Sequence, residues 1–400
     1  MASSQSGSRK KAKTGRESDI SSKTRKSSAY DPEFEQHLID HGIYPEGYGE
    51  DEDSEEPANI EDINRRLAQP RSSLSPSRFT REQFLDFKKK NREALTEATV
   101  MSKAFPIITG TADIPSQENL RFRNLKDLTD GSITKAQPDF YDGARPEGLN
   151  RRIREELGPY IVPSTNTAAP CLPNFFTEAK GPNGGTPTCK NQALYDGALG
   201  ARGIHELRSY VDPETAYDNN AYAITSTYHG GSGTLTMYTT HPTLSKDAKR
   251  PTEYRMTQLN SFAMTGNPDT FRQGAGALRN ARDLAKDQRE ELIAAANGKV
   301  ADAEYSDLVS STQSFVSLSS DEPVHLESET SADELALGVE TYTTSMPKTP
   351  NGLQTSRPTK ASSVRRSTKK ASRTSKKSGT SLRSTSDLAS NGRLERQPLG

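Results

Sequence analysis

Glu178 and Lys180 stand two residues apart at the end of the apolar run NFFTEAK (174–180). Side chains alternate along a strand, so positions 176, 178 and 180 share one face, while Phe175, Thr177 and Ala179 take the other. A carboxylate and an ammonium are thereby held side by side. Asp139, which follows Pro138 at the end of a predicted strand, adds a second carboxylate if that strand lies alongside. Two carboxylates offer the hard oxygen ligands that Mg²⁺ accepts while keeping several waters. A cation so held makes its water a better nucleophile and offsets charge developing on a transferring phosphate. Lys180 would orient that water or stabilise the transition state. Without a cation, carboxylates that face one another raise each other's pKa. Glu97 in a preceding helix, and Gln192 and Tyr195 near the start of a following one, complete the set.

Each of these residues also has a plainer role open to it. Asp139, followed by Tyr-Asp-Gly, suits a turn, and Asp142 is an alternative ligand in its place. Glu178 and Lys180 can form a surface pair contributing about 0–1 kcal/mol. Glu97 can be a solvated helix residue, Gln192 can simply open its helix, and Tyr195 can be core. Other constellations carry less. His37 and His41 are one helical turn apart, but Leu38 stands where a zinc protease carries Glu, and exposed helix histidines fit better than a metal site. His205, His229 and His241 share no ligand spacing. GPNGGTP (181–187) lacks the Gly-Lys-Ser/Thr of a phosphate loop. HGGSG (229–233) has no Gly-x-Ser-x-Gly elbow to accompany it.

The elements that must position these residues follow from periodicity. FEQHLIDH (34–41) reads as a short docking helix stopped by Gly42. Thr80 with Gln83 predicts a capping box that opens a long helix carrying Phe84, Phe87, Leu95, Ala98 and Met101, ended by Pro106. Strands are expected at 120–125 and 132–143, and a short helix from Pro146 to about Leu157. The strand 174–180 follows, then a helix over about 190–210. Strands at 221–229, 234–240 and 253–264 precede a last helix from Pro268 to about Ala296. Strands interleaved with helices make the class α/β, with a mixed central sheet flanked by helices.

The order of strand with Pro-Asp, apolar strand with Glu-x-Lys, and helix with Gln and Tyr resembles the PD-(D/E)XK nuclease superfamily, whose restriction-endonuclease-like core runs α-β-β-β-α-β. Gln192-Ala-Leu-Tyr195 is similar to the Gln/Tyr motif of its RecB-like branch, with two intervening residues here instead of the usual three. YDPEFEQHLIDHGIYP (30–45), KAQPDFYDGARP (135–146), NFFTEAKGP (174–182) and QALYDGALGAR (192–202) resemble an uncharacterised filamentous-fungal family grouped with that fold, over roughly residues 30 to 295. The resemblance implies metal-ligand roles for Asp139 and Glu178, with Glu97 as a further acid, and a catalytic role for Lys180. It implies a site-supporting or backbone-contacting role for Gln192 and Tyr195, and Mg²⁺, or Mn²⁺ in its place, as cofactor. The expected activity is hydrolysis of phosphodiester bonds in nucleic acid, DNA before RNA. The rival reading is a catalytically inactive nuclease-fold protein acting as a nuclear nucleic-acid-binding or protein-interaction module.

Composition sets the frame. Only 31% of the 400 residues are apolar, with no Trp, and mean hydropathy is −0.84. So polar a composition argues for fewer than the two or three domains that the length allows. One domain at 73–297 is expected, with a basic disordered tail at 1–29 and a docking helix plus acidic linker at 30–72. An acidic linker at 298–347 and a basic Ser/Lys-rich tail at 348–400 follow. Net charge is zero but segregated: RKKAK (9–13) and the acid-free stretch 357–377 oppose EGYGEDEDSEE (46–56). Separate basic clusters near both ends point to the nucleus and to phosphate partners, with a protein partner expected through residues 30–60 and the tails. Two cysteines, Cys171 and Cys189, form no disulfide framework or Cys-rich zinc site. The first residues predict no secretory signal. No apolar run reaches the roughly 18–20 residues of a membrane helix.

Overall fold

The computed structural model describes residues 26–49 and 56–317. The basic clusters of the expected tails and most of the acidic linkers lie outside the described residues.

In chain order the elements are α1 (Phe34–Asp40), β1 (Ile43–Tyr44), α2 (Ile60–Leu67), α3 (Arg81–Glu93), α4 (Glu97–Thr99) and α5 (Phe105–Thr109). Then come β2 (Ser116–Glu118), β3 (Phe140–Ala144), α6 (Arg151–Glu156), α7 (Gly158–Ile161), β4 (Cys171–Lys180) and α8 (Thr186–Val211). The chain continues through β5 (Ala223–His229), β6 (Thr234–Leu244), β7 (Thr252–Ala263) and α9 (Pro268–Ser317). One seven-stranded mixed sheet, ordered β1-β7-β6-β5-β4-β3-β2, runs through the middle. The β4–β5 and β1–β7 pairs are parallel. The remaining neighbours are antiparallel. The expected mixed sheet flanked by helices is therefore what the chain forms.

Helices cover both faces. Phe175 and Ala179 of β4 join Phe87, Phe105, Phe271 and Leu278 in a core under α3, α5 and α9. Phe176 faces the other way, into a core with Leu194, Tyr195, Phe34 and Leu38 from α8 and α1. All ten residues of β4 are buried, as a strand covered on both faces must be. Helix α8 crosses over the parallel β4–β5 pair and lies close against it. A Cβ on Gly200 would stand 2.6 Å from the Phe176 ring, so only glycine permits that approach.

Several expectations change. The helix opened by Thr80 has its capping box but ends at Ala94, because Thr96 caps a new helix by accepting from the Thr99 amide. Leu95, expected on the buried stripe, is 69% exposed. Pro106 does not stop the chain's helical course. A widened π turn over Val100–Ala104 precedes it, which accommodates a ring that lacks an N–H and crowds the preceding turn. The stretch 120–125 is a loop that buries Phe122 and Leu125. Strand β3 starts only after Pro138, which has no N–H to give a ladder. Helix α9 runs past Gly298 to Ser317. A single glycine costs a helix only about 1 kcal/mol, and beyond it Val300 is buried. The docking helix docks on its own domain, because Phe34 and Leu38 form the buried stripe of α1 and are thereby withdrawn from any partner. Residues 60–67, expected in a linker, form α2, whose Ile63 and Leu67 are buried in the α9-side core.

On the α9 face one ion pair is fully enclosed. Arg282 donates from Nε and Nη2 to Asp142 at 2.8 and 2.9 Å, over the Phe140 ring. Burial pushes the Asp142 carboxyl up despite that guanidinium, so desolvation dominates the pair. Asp142→Ala or Arg282→Ala should each cost about 3–5 kcal/mol by leaving a lone buried charge. An apolar Asp142→Leu/Arg282→Met double variant should cost less than either. Chemical denaturation of the four proteins checks this.

Candidate functional site

Strands β3 and β4 pair antiparallel with Phe140 opposite Thr177 and Tyr141 opposite Phe176. One step further along the same register, Asp139 stands opposite Glu178. Directly opposed residues present their side chains on the same face, so two carboxylates forty positions apart in sequence meet. The Asp139 amide donates to Glu178 Oε1 at 3.3 Å, and the Ala179 amide donates to Asp139 Oδ2 at 2.8 Å. Asp139 thus lies at the entry to a strand, not at its end. The alternative Asp142 lies on the opposite face, held by Arg282.

Lys180 follows on the same face as Glu178. Its Nζ lies 4.0 Å from Asp139 Oδ2 and 3.8 Å from Glu178 Oε2. It donates to Glu97 Oε2 at 2.8 Å and to the Ala179 carbonyl at 2.9 Å. Glu97 reaches it because the break at Ala94 restarts the helix at Thr96 and puts Glu97 in its first turn. The loop that leaves β4 leaves room for this lysine: a Cβ on Gly184 would stand 2.6 Å from Lys180 Cβ. That packing explains part of the glycine cluster at 181–185.

Helix α8 closes the site. Gln192, Tyr195 and Asp196 sit at i, i+3 and i+4, hence on one face, and line a cleft of about 250 Å³ together with Glu97, Asp139 and Glu178. Asp196 escaped the sequence reading, although its i+4 spacing from Gln192 was the available signal. It is buried, and burial pushes its carboxyl up to about 7. Burial likewise raises Glu178 well above the carboxylate range, reinforced by the charges of Asp196 and Asp139. The Glu178 and Asp196 carboxyls lie beside one another. Glu178 Oε2, Asp196 Oδ2 and Gln192 Oε1 have no donor. Asp139 is pushed up to about 6 by burial, with Lys180 opposing the rise. Burial alone would depress the Lys180 ammonium, but Glu178, Glu97 and Asp139 together raise it above the ordinary lysine value. Lys180 is therefore a fixed cation and not a base.

The structure thus brings Asp139, Glu178, Glu97, Gln192 and Tyr195 to one cleft, with Lys180 buried against the acids and not lining it. Glu97 commits its carboxylate to Lys180, so Asp139 and Glu178 are the pair the site offers to a cation. Orphaned carboxylate oxygens at Glu178 and Asp196 fit such a cation, since a hard divalent ion takes one or two carboxylates and keeps its waters. Arg121 and Lys135 stand at the same cleft. A larger groove of about 1080 Å³ along α2 and α9 gathers no comparable acids, so chemistry and not size selects the site.

Fold and site together define an α/β protein with a seven-stranded mixed sheet and a buried acid–lysine cluster at the β3–β4 edge of a cleft. Residues 69–296, more than half of the chain, match the family described as Domain of unknown function (DUF7924), and the chain belongs to that family. No curated protein and no solved structure matches it. The matched span holds the whole cluster and excludes α1 and β1. No described helix is long and apolar enough to cross a membrane.

The raised carboxyls fix a pH dependence. A folded-state pKa above the unfolded value of 3.8 means that the fold binds the proton more tightly. The associated stability is fully present below about pH 4 and is lost as pH rises through about 6 for Asp139 and about 7 for Asp196. In chelator, Asp196→Asn should be more stable than the parent by roughly 1–3 kcal/mol at pH 8, with the gap closing towards pH 4. Paired thermal melts from pH 4 to 8 test this, and a gap that does not change with pH would refute it.

Proposed function

We propose that the chain is a metal-dependent phosphodiester hydrolase of the restriction-endonuclease-like fold, acting on nucleic acid. The observation that carries the reading is the meeting of Asp139, Glu178 and Lys180 on one sheet face, with both acids lining a cleft. The element order around them supports it. A helix (α4–α5), the antiparallel strands β2, β3 and β4 with α6 and α7 between the last two, a crossover helix (α8) and a strand parallel to β4 (β5) are compatible with the α-β-β-β-α-β order of that fold. Asp139 immediately precedes β3, and Glu178 and Lys180 end β4.

Asp139 and Glu178 would hold Mg²⁺ or Mn²⁺. A bound ion would supply an activated water and offset phosphate charge. The protein's own groups do the rest. Lys180, fixed between the two carboxylates and Glu97, sets a positive charge beside the reacting phosphate and orients the attacking water. Glu97 positions that ammonium. Tyr195 packs edge-on against Phe34, with ring centroids 6.3 Å apart, and so braces α8 against the cleft wall. Arg121 and Lys135 would meet the flanking phosphates, giving an affinity that falls with salt. The basic clusters of the tails fit delivery to DNA and to the nucleus on the same electrostatic grounds.

Incubation of the full-length protein with single- and double-stranded DNA and RNA, in Mg²⁺ or Mn²⁺, tests this. Cleavage should stop in chelator and fall about 10²–10³-fold in Asp139→Asn, whose thermal melt should be retained, and in Lys180→Ala, assayed below its lowered melt. Salt-sensitive binding without cleavage in either metal would instead favour the inactive nucleic-acid-binding module. Absence of binding would remove both readings.

A further inference from the structure

His37 and His41 lie on α1 at i and i+4, and their rings stack with centroids 4.5 Å apart. The sequence alone gives them no third partner. The fold supplies one: the turn at 129–133 brings Asp130 Oδ1 to 3.4 Å from His37 Nε2. Among the described residues, His37, His41 and Asp130 are the one group of three His, Cys, Asp or Glu side chains whose ligand atoms all lie within 4.8 Å of one another.

The surroundings are arranged as ligands require. His41 Nδ1 lies 2.8 Å from the His37 carbonyl oxygen. A carbonyl only accepts, so Nδ1 carries the proton and Nε2 is left as the ring's lone-pair donor. Metal-bound histidines are oriented by such a bond from the non-ligating nitrogen. Asp130 Oδ1 accepts from the Ser132 amide at 2.9 Å and from the Ser132 hydroxyl at 2.5 Å, which fixes the carboxylate facing α1. The Ser132 hydroxyl also lies 3.2 Å from His37 Nε2.

We propose that His37, His41 and Asp130 form a divalent transition-metal site, with Zn²⁺ the ion best suited to its donors. Two imidazoles and one carboxylate are ordinary Zn²⁺ ligands, with metal–ligand distances of about 2.0–2.2 Å and a fourth position left for water. Imidazole donors disfavour Mg²⁺, so this site is chemically distinct from the carboxylate pair at Asp139 and Glu178. Its effect is mechanical. Residue 27 already bridges residue 133, and the ion would clip α1 to the same turn. Phe34 opens α1 and lines the cleft, so the clip fastens a cleft wall.

Titration of the metal-stripped full-length protein with Zn²⁺, in competition with a chromogenic chelator, reads the site directly. With Asp139→Asn as the parent, which removes the carboxylate pair from the titration, one Zn²⁺ per chain should bind, weakened about tenfold or more when His37→Ala, His41→Ala or Asp130→Ala is added. Zn²⁺ should raise the melting temperature of the parent and not that of the three variants, which in chelator should melt with the parent because their side chains are only part-buried or exposed. Affinity weaker than about 100 µM in the parent, or undiminished in both histidine variants, would overturn the proposal. Neither outcome touches the hydrolase reading, which the Mg²⁺ and Mn²⁺ assays decide.

Discussion

Four carboxylates, those of Glu97, Asp139, Glu178 and Asp196, gather around a single ammonium, that of Lys180, and most of them are out of water. Burying charge of one sign is among the costliest arrangements a fold can hold. The surrounding structure is shaped to hold it. The β3–β4 register sets the first two acids opposite one another. Backbone amides of Asp139 and Ala179 donate across the strands to Glu178 and Asp139. The helix break before Thr96 delivers Glu97 to the lysine, and the glycines after β4 make room for the lysine's stem. Each of these features is local, and they serve the same few cubic ångströms.

The opposite face of the same strands is the useful contrast. There Asp142 meets Arg282 in a two-pronged pair, and Arg289 Nη1 donates to Asn174 Oδ1, whose amide in turn donates to the Ala285 and Tyr222 carbonyls. The Asp142–Arg282 pair is balanced within itself, while Arg289 beside it meets only the neutral Asn174 and keeps an unpartnered Nε. The α8 face is left unbalanced, with acid oxygens lacking any donor. Both arrangements are buried at comparable depth, so burial does not explain the difference. Acids pushed out of their ordinary range inside a cleft are candidates for a functional site, and the Asp142–Arg282 pair shows that this fold also buries a carboxylate against a cation of its own.

The residues of this cluster were largely legible in the sequence, because they depend on short-range rules. Alternation along NFFTEAK gave the shared face of Glu178 and Lys180, and Thr80 with Gln83 gave the capping box. What did not show was contributed by tertiary context. Asp139 against Asp142 is settled by register, and a one-residue slip would exchange them. Thr96 ends one helix and starts another within a continuous helical pattern, so periodicity ran straight through the break. Asp196 looked like any acid on a helix that is otherwise rich in alanine and glycine. His37 and His41 looked like surface histidines because their third partner sits some ninety positions away. The short strand β2 and the loop 120–125 were confused because buried apolar residues anchor loops as readily as they mark strands. Helix α9 outran its expected end because one glycine is a weak stop when the next turn still packs.

Charge balance also constrains what the site can do. Lys180 and Glu97 form a pair that neutralises itself. The other three carboxyls, Asp139, Glu178 and Asp196, are all held towards the protonated form. Three acids sharing too few cations can be satisfied by protons or by an added positive charge. On the proposed reading, one proton held by Glu178 or Asp196, together with one divalent ion at Asp139 and Glu178, would bring the cluster to neutrality. Two protons would do what the ion does, but would leave Asp139 and Glu178 with nothing to offer a phosphate. A cluster built only for stability would gain from replacing one acid by its amide, which keeps the shape and removes the repulsion. On the proposed reading, four acids around one lysine leave the place that a divalent cation would fill.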